Sequence, residues 1–165
     1  MAEKNTSKLT PFEKQQAEAA KQILEYKLGA EASIVSMIYK NPDLLRETNL
    51  QLNDIHNNCW RVYFEIARDM VINEKKATLS EVDIGLYLEK HPKLSEKYYN
   101  AYGGFETIES AGFYIKEENF DGYLRDLRKW NVVAKLVKHG FPCDKARLSE
   151  ICDMSAEELY DQFLG

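Results

Sequence analysis

The sequence predicts an all-α protein. Three observations carry this. Apolar residues recur at spacings of three and four over long stretches, Pro, Asn and Ser stand where helix starts need them, and no stretch of useful length alternates apolar and polar residues at the two-residue period of a strand.

Residues 1–10 are polar and read as a disordered tail, and Pro11 can open a helix because its missing N–H costs nothing in the first turn. Phe12, Ala17, Ala20, Ile23, Leu24 and Leu28 give 12–28 a helical period, and Gly29 is expected to break it. This extension either packs on the rest of the protein or binds separately; the sequence leaves both open. Glu31 to Tyr39 is apolar in several directions, so it reads as a helix buried on most sides. Asn41-Pro42 stops it and restarts the chain. Asn53 or Asp54 is expected to cap a long helix reaching about Asn73, with Ile55, Cys59, Val62, Ile66 and Met70 as its apolar stripe and Trp60, Tyr63 and Ala67 widening it.

Ser80 and Asp83 have capping-pair spacing before a helix of Val82, Leu86 and Leu88, which Pro92 closes. Leu94 to Asn100 reads as a short helix and Tyr102-Gly103-Gly104 as a turn. A short helix, Phe105 to Ala111, precedes a long one from about Glu118 to Lys138. Along the latter, Tyr123, Leu127, Trp130, Ala134 and Val137 form a stripe suited to packing against another helix. Phe120, Leu124, Val132, Val133 and Leu136 lie off that stripe, so the helix needs more than one neighbour. After Gly140, Lys145 to Ile151 reads as a short helix, and Ser155 with Glu158 forms a capping pair for a last helix, Ala156 to Phe163.

At 165 residues the chain suits one domain plus a tail, and folding at this size buries roughly two-thirds of the surface. A net charge of -5 disfavours autonomous DNA binding, because phosphate affinity comes largely from Lys and Arg releasing counterions. Arg125, Arg128, Lys129, Lys135 and Lys138 make a local basic strip that reads better as a solvated helix face. The three cysteines, Cys59, Cys143 and Cys152, form no C-x-x-C pair, which fits a reducing cytoplasm. There is no signal-peptide core and no apolar run approaching the ~20 residues of a membrane span.

No reacting site assembles from the sequence. His56, His91 and His139 lie far apart, and His56 with Cys59 supplies two of the four ligands a structural zinc needs. The pairs Glu117-Glu118 and Glu157-Glu158 are carboxylates favoured at helix starts. The eight glycines include no G-x-x-x-x-G-K-[ST] phosphate loop. Most of the ten tyrosines and seven phenylalanines fall on apolar helix faces. Tyr98, Tyr99, Tyr102, Phe113 and Tyr114 fall in short or loop-like segments, where they are candidate exposed anchors for a protein partner.

Two stretches carry a family likeness. Ala30 to Leu45 reads AEASIVSMIYKNPDLL, and Ala101 to Leu136 reads AYGGFETIESAGFYIKEENFDGYLRDLRKWNVVAKL. Their order resembles the N-terminal domain of DnaB-family replicative DNA helicases, bacterial or phage. In that family an AE-x-x-V-L-G-x-x-L-x-x-P helix precedes a helical head, and a GG-x-x-Y/F-x-x-x-L segment with an N-x-x-x-Y-x-x-x-V/L-R helix forms a protruding hairpin. The likeness spans most of 28–138 and rests on packing residues rather than catalytic signatures.

The resemblance implies a polar tail and extension at 1–28, a head at 29–100, a hairpin at 101–139, and at 140–165 the start of a linker toward a motor domain. It implies a non-catalytic module of DNA replication that self-associates as dimers within a ring of three pairs, and that contacts primase and a helicase loader. Phe105, Phe113, Tyr114, Tyr123, Leu127, Trp130, Ala134 and Val137 would make the subunit contact, with Tyr98, Tyr99 and Tyr102 facing a partner. ATP and magnesium would belong to the motor. Two other readings are a helicase-binding C-terminal domain of a primase and a small DNA-binding replication-initiation protein. The position of Met1 ahead of the AE motif speaks against the first and the acidic charge against the second.

Overall fold

The computed structural model describes residues 9–163, so the tail expected at 1–10 lies outside the described residues except for 9 and 10; the described residues are mostly helical, with no strand among them. The all-α reading therefore holds. The helices are α1 (Pro11–Lys40), α2 (Asp43–Arg46), α3 (Asn58–Arg68), α4 (Glu81–Glu89), α5 (Pro92–Glu96), α6 (Phe105–Gly112), α7 (Phe120–Lys138), α8 (Lys145–Cys152) and α9 (Ala156–Phe163). Two π-helical turns, Asp69–Asn73 and Lys97–Ala101, continue α3 and α5.

The chain divides into two compact units, Gly29–Leu124 in one and Met1–Leu28 with Arg125–Gly165 in the other. This differs from the division expected at 100/101 and 139/140. The segment 101–139 is shared between the units, and the described part of 140–165 belongs with that of 1–28. Gly29 does not break α1, which runs through it. An added Cβ at Gly29 would meet nothing within 4 Å, so its surroundings do not require a glycine, and one interior glycine costs a helix only ~1 kcal/mol.

In the Gly29–Leu124 unit, Ile34, Val35, Met37 and Ile38 of α1 are buried, as a helix apolar in several directions requires. Helix α3 buries Trp60, Val62, Tyr63, Phe64, Ile66 and Ala67. Its start is one turn later than expected. Asn57 is the cap, its side chain accepting from the N–H groups of Cys59 and Trp60. Glu31, buried in α1, accepts from the N–H groups of His56 at 2.9 Å and Asn57 at 3.0 Å, which fixes the approach to that cap. Residues Leu52–Asp54 form a separate 3-10 turn. Helix α4 has the expected box, Ser80 accepting from the Asp83 N–H and Asp83 from the Ser80 N–H. Its buried face is Ile84, Tyr87 and Leu88, whereas Val82 and Leu86 are exposed. Pro92 opens α5 rather than simply ending α4.

In the other unit, Ala19 and Ile23 of α1 pack with Trp130 and Val133 of α7, Cys143, Leu148 and Ile151 of the α8 region, and Leu159 of α9. Tyr26 stacks on Trp130 with ring centroids 4.8 Å apart. Lys129 donates to the Cys152 carbonyl at 2.7 Å, satisfying a helix-end acceptor with a cation. Asp144 caps α8 by accepting from the Arg147 N–H at 2.8 Å, and Ser155 caps α9 by accepting from the Glu158 N–H at 3.1 Å. Residues 140–163 thus contribute core to this unit rather than acting as a bare linker.

Candidate functional site

The feature that stands out is the end of α6. Two glycines set its start. Gly103 at φ 89° and Gly104 at φ 73°, ψ -153° hold a backbone shape that side chains with a Cβ rarely adopt. The turn is then tied into the core of its unit. The Tyr63 hydroxyl donates to the carbonyl of Tyr102 at 2.8 Å and the Thr107 hydroxyl to the same carbonyl at 2.6 Å. The Tyr39 hydroxyl donates in turn to the Tyr63 carbonyl at 2.6 Å. Burial pushes the Tyr63 phenol up to about 12, with opposing contributions from its hydrogen bonds to Thr107 and Gly104, so it stays a donor across the physiological range.

At the other end of α6, Gly112 lies against α1. A Cβ there would come within 3.0 Å of Lys40 Cε and 3.3 Å of Ser36 Cβ, so the close approach needs a glycine or a small shift. Lys40 Nζ donates to the Gly112 carbonyl, with the Ile115 carbonyl at 3.4 Å. Asn41 donates to the Glu117 carboxylate. The loop from Phe113 to Lys116 is therefore held at both ends by consecutive residues at the end of α1. Between those ties stand Phe113, 73% exposed, and Tyr114, 88% exposed, their rings edge to face at 4.8 Å.

Beside this pair is a cleft of about 650 Å³. The end of α1 (Ser36, Tyr39, Lys40), the segment Ala77–Ser80, and α6 (Phe105, Ile108, Glu109) form its walls, and Phe113 forms one lip. Lys40 and Glu109 are its charged lining residues. The hydroxyls of Thr78 and Ser80 both donate to Asp83, at 2.6 and 2.7 Å.

The residues predicted from sequence fall into three groups. Phe113 and Tyr114 are exposed, and Tyr99 is 47% exposed. Phe105, Tyr102, Tyr123, Ala134 and Val137 are partly buried; Ala134 and Val137 pack on the core of the unit that holds Trp130. Tyr98, Leu127 and Trp130 are buried. Tyr98 is therefore not an exposed anchor. Its ring packs edge-on against Tyr63 at 5.2 Å and Tyr99 at 4.8 Å, and burial raises its phenol well above the ordinary range. Trp130 belongs to a core filled by α1, α7, α8 and α9, which supply neighbours that the sequence left to either the head or a second subunit.

Sequence reasoning missed Lys40, Gly112 and Glu117 as supports of the aromatic loop. Asn41 was legible only as a cap; Pro42 instead stands at the N-cap position of α2, and the Asn41 side chain accepts from the Asp43 N–H at 3.1 Å.

A second polar cluster joins α3 and α4. Tyr87 and Asn73 both donate to Asp69 at 2.6 Å, and His91 stacks on Tyr87 at 4.0 Å. The hydrogen bond from Tyr87, then that from Asn73, lowers the Asp69 carboxyl below its ordinary value. These bonds satisfy one another within the fold. His56 is exposed and Cys59 half-buried, and no group of three or more metal-ligating side chains occurs among the described residues. No described helix is long and apolar enough to cross a membrane. No protein-family model matches the chain, and neither a curated protein nor a solved structure matches it.

Proposed function

We propose that this chain is a non-catalytic interaction module of a DnaB-type replicative helicase, serving DNA replication by self-association and by binding primase and a helicase loader. The observation that carries the interaction reading is the Phe113–Tyr114 pair, two large rings left in solvent on a loop fastened at both ends. Aromatic side chains held in place before binding lose little freedom on association, which is how a few residues come to dominate an interface. The replication assignment rests on the AEASIVSMIYKNP and AYGGFETI motifs and their order.

Calorimetric titration of the chain with the helicase-binding domain of the primase from the same genome tests the assignment. Saturable binding, together with concentration-dependent self-association, is expected. A chain that stays monomeric and binds no primase would refute it.

A further inference from the structure

We infer that the cleft beside Phe113 is the receptor for Tyr114 of a second copy of this chain, so that two copies exchange tyrosines across a two-fold axis. This rests on the self-association reading above and gives it a specific joint.

The argument is self-complementarity. A two-fold interface brings the same patch of both copies together, so knob and hole must lie close to one another on one patch. Tyr114 is 88% exposed and follows directly on Phe113, which forms a lip of the cleft. The cleft, at about 650 Å³, is of the size that encloses compact ligand groups, roughly 300–1,000 Å³. Its apolar wall is Leu79, Ile108, Phe105 and Pro42. The charges agree as well. Lys40 stands on the α1 wall and Glu109 on the α6 wall, so a two-fold operation can set each against its opposite. A partner of one uniform charge would face repulsion at one lip.

The chemistry also favours tyrosine as occupant. A buried phenol needs a hydrogen-bond partner. Thr78 and Ser80 line the cleft, and both spend their hydroxyl hydrogens on Asp83. The Thr78 oxygen keeps lone pairs that can accept from an incoming phenol. Two aromatic rings per copy bury about 150–250 Å² each. With the facing walls this reaches the lower end of stable interface size, so the dimer is expected to be of modest affinity.

The test places a benzoylphenylalanine photo-crosslinker at position 114 in the full chain and mixes isotopically light and heavy copies. Crosslinks between light and heavy copies that map to 36–42, 77–80 or 105–113 are expected. In parallel, Tyr114→Ser should weaken dimerisation about thirty-fold, the effect of losing a dominant interface side chain. Tyr114→Phe should weaken it only several-fold, and Glu109→Lys should weaken it through like charges at the lips. Both positions, 109 and 114, are exposed, so the fold is not at risk. Crosslinks between copies that map elsewhere, or an unchanged dimer for Tyr114→Ser, overturn the cleft assignment while leaving self-association standing. A chain that neither crosslinks between copies nor sediments above monomer overturns both.

Discussion

Replacing Glu31 by Ala removes a single side chain that holds two parts of the Gly29–Leu124 unit together. The carboxylate is 1% exposed and accepts from two backbone N–H groups, those of His56 and Asn57, at 2.9 and 3.0 Å. Hydrogen bonds to a charged acceptor contribute about 1.5–3 kcal/mol each. Asn57 is the cap of α3, so losing the carboxylate also loosens the residue that starts the helix. His56 and Asn57 are not fully buried, so water can recover part of the loss. Together these give a destabilisation of about 2–4 kcal/mol, which at this chain length lowers the melting temperature by roughly 5–15 °C. Glu31→Gln keeps one acceptor oxygen and should lose less than half as much. The assay is urea unfolding followed by far-ultraviolet circular dichroism, with the m-value checked for constancy. A midpoint for Glu31→Ala within error of wild type would refute the role given to this carboxylate, and equal losses for Ala and Gln would refute its hydrogen-bonding basis.

Trp130→Ala should destabilise by about 3–5 kcal/mol, as truncation of a core aromatic does, and the loss should be independent of protein concentration in thermal unfolding. Gly104→Ala should cost about 1–3 kcal/mol, since φ 73° with ψ -153° suits glycine alone and the new Cβ would meet the Tyr99 ring at 3.1 Å; chemical denaturation reads it. Asp69 has a folded pKa below the ordinary 3.8, so its contribution is full above that value and is lost as pH falls through the lowered one. Asp69→Asn should therefore flatten the acid limb of a stability–pH curve. Tyr63 has a folded pKa of about 12 against an ordinary 10, so its contribution is full below pH 10 and is lost as pH rises through 12. Tyr63→Phe should flatten the alkaline limb.

Helix class and most helix ends were legible because their signals are local. Ser80, Asp83, Ser155 and Pro11 stand within a few residues of what they cap or open. The cap of α3 was misplaced because Asn53, Asp54 and Asn57 are all good caps, and the choice among them is made by Glu31, a residue remote in sequence. Periodicity showed that α7 needs several neighbours, but not that α8 and α9 supply them for Trp130 and Val133. Val82 and Leu86 look like core by spacing, yet Ile84, Tyr87 and Leu88 face inward, since a short helix with apolar residues all round has no preferred face. Of the interface candidates, Phe113 and Tyr114 were legible from their loop-like placement. Tyr98 was not, because a π-helical turn carries it into the core. The ties that Lys40 and Asn41 make to the loop span 72 to 76 residues and leave no local trace.

The central claim is that this chain is an interaction module whose exposed aromatic loop makes the contact. Sedimentation velocity over a concentration series, run on the wild type and on the double variant Phe113→Ser with Tyr114→Ser, tests it most directly. The account predicts a wild type that moves from monomer toward dimer with rising concentration, and a double variant of unchanged circular dichroism that stays monomeric throughout. A double variant that dimerises as well as the wild type, or a wild type that remains monomeric at high micromolar concentration, would contradict it.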